Sequence, residues 1–238
     1  MEYKSNKQLK KLGDKQFSED IKKYIRRNHE FNSTKIPELK ILAKRLNEEY
    51  KLRGFYKIFN KFWNSGYNNE RSIAIYALEL YKEDFNIETW KFFKQKLKDI
   101  KSWDKVDTVS TNIIGEILLR ANIQEDIIKM AKSNNIWHKR MALMACIPMT
   151  REDKFLLGIK LCEICVNSKD ENVQYAIGIV LREIGQIKPA VVSRFIKSNK
   201  SLSDSAFYIA TENMKELRGL RGENKNAIIF NKLMFWKD

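Results

Sequence analysis

The sequence predicts an all-α fold, a superhelical array of antiparallel helix pairs with a basic concave face. Three observations carry this. Apolar residues recur at helical rather than alternating spacing. Only three prolines and nine glycines interrupt 238 residues. A short polar turn followed by an apolar helix also recurs along the chain, at 68–80, 103–118, 137–147 and 171–184.

In the first of these segments Ile73, Ala74, Ala77, Leu78 and Tyr81 form one stripe. In the second, Val106, Val109, Ile113 and Ile117 do the same, so each helix can bury one face. Turn signals separate the segments. Asn64-Ser65-Gly66 and Ser133-Asn134-Asn135 each precede a helix, while Ser168-Lys169-Asp170 and Gln186-Ile187-Lys188-Pro189 bracket another. Helices of about 12 to 18 residues are expected. A period of roughly 35 to 40 residues is that of helical solenoids of the HEAT or armadillo kind, whose helix pairs bury their stripes only against neighbours. The expected organisation is a single domain over 1–238, with a helical N-terminal cap at about 1–30 and a C-terminal capping segment at about 204–238.

Charge points to the partner. The 45 Lys and Arg outweigh 30 Asp and Glu, for a formal charge of +15, which attracts a polyanion. Nucleic acid is the expected one. No apolar run is long enough to span a bilayer, and the amino terminus lacks the apolar core of a signal peptide, so a cytoplasmic, nucleoid-associated protein without membrane contact is expected. A monomer is expected as well, there being no oligomerisation signal.

Metal and redox chemistry are not indicated. Cys162 and Cys165 have a Cys-x-x-Cys spacing, but they sit in an apolar helical pattern with no second pair, and with Cys146 they read as core thiols. His29 and His138 have no metal-ligand spacing. The expectation is no metal and no cofactor.

Against this basic background, Ser102-Trp103-Asp104-Lys105-Val106-Asp107 puts two acids and an indole within little more than one helical turn. Asp104, after Ser102, reads as a helix-start residue. Asp107 shares a face with Trp103 at i+4, and a carboxylate beside an aromatic ring suits a cation. One chemistry needing that arrangement is cleavage of the N-glycosidic bond of an alkylated, positively charged base, in which the sugar becomes oxocarbenium-like. Arg140, three residues after Trp137, is the candidate cation for the neighbouring phosphate; an interhelical salt bridge to Asp107 is the plainer role for it, and the two are compatible, because an arginine paired with the acid keeps it ionised and placed. Lys105, Lys139 and Arg182 are candidates for lining a basic face. In the C-terminal stretch Arg218, Arg221, Lys225 and Lys232 accompany Phe230, Phe235 and Trp236, either extending that surface or capping the array.

Taken in order, the segments 36–46, 62–80, 102–119, 134–145 and 173–189 resemble the AlkD family of DNA alkylation-repair glycosylases, built from HEAT-like repeats. The resemblance implies a monofunctional, cofactor-free glycosylase. Its substrate would be duplex DNA carrying cationic N3- or N7-alkylated purines such as 3-methyladenine and 7-methylguanine, gripped by the backbone without deep flipping of the base. It implies Asp107 as the catalytic carboxylate, Trp103 as an aromatic neighbour of the lesion's sugar-phosphate, and Arg140 as the phosphate-positioning cation. Two places depart from the family pattern: Glu171-Asn172 stands just before Val173, where aromatic residues can occur in relatives, and the more consequential departure is at position 179. Ile179, in Ala176-Ile177-Gly178-Ile179-Val180-Leu181-Arg182-Glu183, replaces a tryptophan and offers no π face to a cation. That departure keeps open a non-catalytic repeat protein that binds damaged, bent or branched DNA, and the repeat architecture itself, whose concave faces commonly bind peptides and domains, keeps open a protein-interaction scaffold.

Overall fold

The computed structural model describes residues 36–101 and 103–221, with the side chains of Trp103, Asp104 and Lys215 outside the described set. The described residues are helical throughout, with no strand among them. The expected N-terminal cap and His29 lie outside the described residues, as do Lys225, Phe230, Lys232, Phe235 and Trp236. The chain divides into two compact units, one ending at Asp84 and one beginning at Phe85.

The first unit contains α1 (Ile36–Glu49), α2 (Leu52–Trp63) and α3 (Asn68–Glu79). Both α1 and α2 pack on α3. The residues of its expected stripe, Ile73, Ala74, Ala77, Leu78 and Tyr81, are all buried, as are Phe55, Phe59 and Phe62 on α2. Tyr81 stacks on Phe55 with ring centroids 5.2 Å apart and donates its hydroxyl to Tyr50 O at 2.5 Å. Burial pushes that phenol up to about 12. Gly66, in the turn before α3, has φ +86°, a conformation that only glycine adopts without strain.

The second unit begins with α4 (Ile87–Phe93), started by an Asn86–Thr89 capping box. The Trp90 indole donates to Asp126 Oδ2 at 2.6 Å, which ties α4 to α7 (Gln124–Lys132). That hydrogen bond holds the Asp126 carboxyl below its usual range, against an opposing effect of burial and with help from Lys94. Between them runs α5 (Trp103–Val109), a π-helical turn at Ser110–Ile114, and α6 (Gly115–Arg120). Then follow α8 (Ile136–Ala145), α9 (Ile147–Arg151), α10 (Leu156–Cys165), α11 (Glu171–Ile187), α12 (Pro189–Ser198), α13 (Asp204–Ala210) and α14 (Lys215–Arg218).

The turn signals act as their chemistry requires. Asn135 Oδ1 accepts from Trp137 N and His138 N to start α8, and Asp170 Oδ1 accepts from Val173 N to start α11. Pro189 takes the first position of α12, where its missing N–H costs nothing. Helices pair across these short turns, α7 with α8 and α10 with α11, and α11 also packs on α8, α12 and α13.

Helix lengths depart from expectation. Only α1, α2, α3 and α11, with 14, 12, 12 and 17 residues, fall in the expected range. Two breaks account for much of this. Ser110 and Thr111 donate their hydroxyls back to Val106 O and Asp107 O, and side-chain bonds of this kind compete with the helical ladder where α5 widens into the π turn. Pro148, lacking an N–H, marks the break between α8 and α9.

The second unit's stripe, Val106, Val109, Ile113 and Ile117, is fully buried. The three cysteines are buried core thiols, as the apolar pattern around them requires. Burial pushes Cys146 up to about 12 and Cys165 up to about 11, and holds Cys162 well above the usual thiol range.

Close packing of α11 on α13 depends on Gly178. A Cβ there would lie 2.9 Å from Ala206 O and 2.9 Å from Ile209 Cβ. Gly178→Ala should therefore lower the unfolding free energy by about 1 to 3 kcal/mol in urea denaturation. A variant as stable as the native chain would show that the two helices can separate at no cost.

Candidate functional site

Asp107 stands on α5, one turn into the helix, and Arg140 stands on α8, one turn after its Asn135 cap. Packing of α5 against α8 brings them together. Arg140 Nε donates to Asp107 Oδ1 at 2.7 Å and Nη2 donates to Oδ2 at 2.5 Å, a bidentate fork. The third nitrogen, Nη1, donates to Asn172 O in the first turn of α11 at 2.6 Å. One guanidinium thus joins three helices.

The two partners differ in exposure, with side chains 6% exposed for Arg140 and 24% for Asp107. The cation is inside and the anion reaches the surface. Planar, bidentate pairing fixes the carboxylate plane as well as its position, which a lysine could not do. A carboxylate oxygen accepts more than one hydrogen bond, so pairing with Arg140 does not exhaust its capacity to meet water or a cationic group.

The π turn begins three residues after Asp107, and Thr111 Oγ1 donates to Asp107 O at 2.9 Å. Irregular turns of this kind are frequent at functional sites, where they re-aim the residues beside them.

The remaining expected site residues take varied positions. Lys105 on α5 and Lys139 on α8 are half-buried. Ile179 on α11 is half-buried and lies two helical turns beyond Asn172, on nearly the same face, about 10 Å along the axis. Arg182 donates to Glu212 Oε2 at 3.0 Å and lies 3.5 Å from Glu183 Oε1, so its charge is shared with two carboxylates. Arg221, from the C-terminal stretch, packs inward: it donates to Leu202 O at 2.6 Å and lies over the Phe207 ring at 4.8 Å. The side chains of Trp103 and Asp104 are outside the described residues.

The third partner of Arg140 has no counterpart in the sequence reading. Its acceptor is the backbone carbonyl of Asn172, which any residue supplies equally and no side-chain pattern announces. Glu212 is likewise separated from Arg182 by two whole helices, α12 and α13, and pairs with it only because α13 folds back onto α11.

Comparison with known proteins gives the family and the fold. The family described as DNA alkylation repair enzyme matches the chain over residues 5–214. The chain belongs to that family. A solved structure titled "Predicted DNA alkylation repair enzyme from Enterococcus faecalis" has the same fold, with a TM-score of 0.65 at 19% identity over 76% of this chain and 86% of that one. No curated protein matches the chain. Among the described residues of this DNA alkylation repair protein, no helix is long and apolar enough to cross a membrane, and no group of His, Cys, Asp and Glu is placed to hold a metal ion.

Breaking the fork has a measurable cost. Arg140→Met removes the two hydrogen bonds to the Asp107 carboxylate and the one to the Asn172 carbonyl, and should lower the unfolding free energy by about 3 kcal/mol. Arg140→Lys, which keeps the charge but not the fork, should recover only part of that. Equal stability of Arg140→Met and the native chain in urea denaturation would contradict the structural role.

Proposed function

We propose that this DNA alkylation repair protein is a monofunctional glycosylase that hydrolyses the N-glycosidic bond of cationic N3- and N7-alkylated purines in duplex DNA. The observation that carries the reading is the partly exposed Asp107 carboxylate, held in a fixed plane by a buried arginine in a protein of net charge +15. The fork gives the carboxylate two charge-assisted hydrogen bonds that fix its plane. An anion so placed stabilises positive charge developing on a substrate and pays little reorganisation for it.

In the proposed reaction the C1′–N9 bond breaks and its electron pair goes to the alkylated purine, which leaves as a neutral base. Positive charge moves to the deoxyribose as an oxocarbenium-like species, opposite the Asp107 carboxylate. Water then adds to C1′, and its proton passes through Asp107 to solvent. Because the base carries positive charge before departure, no acid has to protonate it, and the chemistry runs without a cofactor.

Arg140 acts in this scheme as a positioning residue for Asp107. Its burial and three hydrogen bonds support that role over direct capture of a phosphate. Lys105 and Lys139 are the proposed contacts to the DNA backbone, through which affinity is salt-dependent and indifferent to sequence. Trp103 is the proposed aromatic neighbour of the lesion's sugar. Ile179 packs against sugar where a tryptophan would have supplied a π face, which weakens the hold on the lesion.

Asp107→Asn tests the assignment. Base release from methylated duplex should fall by at least about 10²-fold, the scale set by loss of a main electrostatic stabiliser. Binding to the same duplex should be unchanged or tighter, because a negative charge near phosphate is removed. Parallel loss of binding and release would contradict the role given to Asp107. Binding by the native chain with no release would favour the non-catalytic reading.

A further inference from the structure

The third bond of Arg140 places a demand on α11: the carbonyl of Asn172 has to sit where Nη1 can reach it. Two side chains fix the turn that carries it. Asp170 caps the helix through Val173 N at 3.2 Å. Gln174, 2% exposed, donates through Nε2 to Val166 O and Ser168 O, each at 2.8 Å, and accepts from Ser203 N at 3.0 Å through Oε1.

Gln174 therefore spans three segments: the turn between α10 and α11, the first turn of α11, and the loop that leads into α13. Ser203 itself caps α13 by accepting from Ala206 N at 3.2 Å. Glutamine suits this position chemically. Two carbonyls need donors and one N–H needs an acceptor, which a primary amide supplies and which a carboxylate or an apolar side chain does not.

From this geometry we infer that Gln174 is a positioning residue for the Asp107–Arg140 pair, acting through the Asn172 carbonyl. The argument is one of distance. A displacement of the first turn of α11 by about 1 Å takes the 2.6 Å Nη1–O contact beyond hydrogen-bonding range. The guanidinium would then keep only its two bonds to Asp107 and lose the one that ties it to α11. The catalytic consequence rests on the glycosylase reading above; the geometric one does not.

The test uses the full chain and two readouts. The first is hydrogen exchange of the Arg140 Nε–H by nitrogen-15 NMR, with the resonance assigned by its loss in Arg140→Lys. The Trp90 indole N–H, bonded to Asp126 in the same unit, serves as the internal reference. In Gln174→Met the Arg140 signal should exchange at least about tenfold faster while the Trp90 signal is unchanged. Gln174→Glu, which keeps the acceptor for Ser203 N and lacks the two donors, should behave alike and serves if the methionine variant does not fold. Equal acceleration of both signals, or of neither, would overturn the inference.

The second readout is single-turnover release of 7-methylguanine. Gln174→Met should slow it at least about tenfold. In an Arg140→Lys background the same substitution should have no further effect, because both act on one element. Multiplicative losses would assign Gln174 a merely structural role. If the native chain releases no base, the glycosylase reading fails alone, and the exchange measurement still decides the positioning.

Discussion

The fork between Arg140 and Asp107 is the constraint around which the second unit is arranged. A guanidinium that is almost fully buried has to have its donors met, because an unpaired charge in the interior costs several kcal/mol. Asp107 meets two of the three nitrogens and the Asn172 carbonyl meets the third. Satisfying the arginine therefore locks α5, α8 and α11 to one another at one point. The same geometry resolves why so basic a chain keeps an acid at position 107. The carboxylate is the arginine's partner on its inner side and, being partly exposed, an anion offered to whatever approaches from outside.

The surrounding structure supports that point through ordinary devices. Asn135 and Asp170 start the helices that bring Arg140 and Asn172 to it, and Gly178 lets α13 press closely on α11. The π turn after Asp107 departs from the regular ladder at the residue where regularity would otherwise dictate direction. None of these takes part in chemistry.

Much of this is visible in the chain alone, for identifiable reasons. Helix stripes such as Val106, Val109, Ile113 and Ile117 follow from a 3.6-residue period. Caps such as Asn135 and Asp170 follow from local hydrogen-bonding chemistry, so both were legible. The Asp107–Arg140 pairing was legible as an alternative, because opposite charges at the starts of successive segments have few other uses. What escaped was nonlocal or backbone-borne. Asn172 contributes a carbonyl, Arg182 meets Glu212 only through the α11–α13 packing, and the breaks at Ser110 and Cys146 shorten helices whose apolar pattern runs on without interruption.

The account's central claim is that a fixed anion serves a leaving group that is already positive. It is tested most directly by comparing, under single turnover, the release of 7-methylguanine with that of 1,N6-ethenoadenine from otherwise identical duplexes. The charged base should be released and the neutral one should remain, since nothing in the scheme protonates it. Release of both at similar rates, or of the neutral base alone, would contradict the claim.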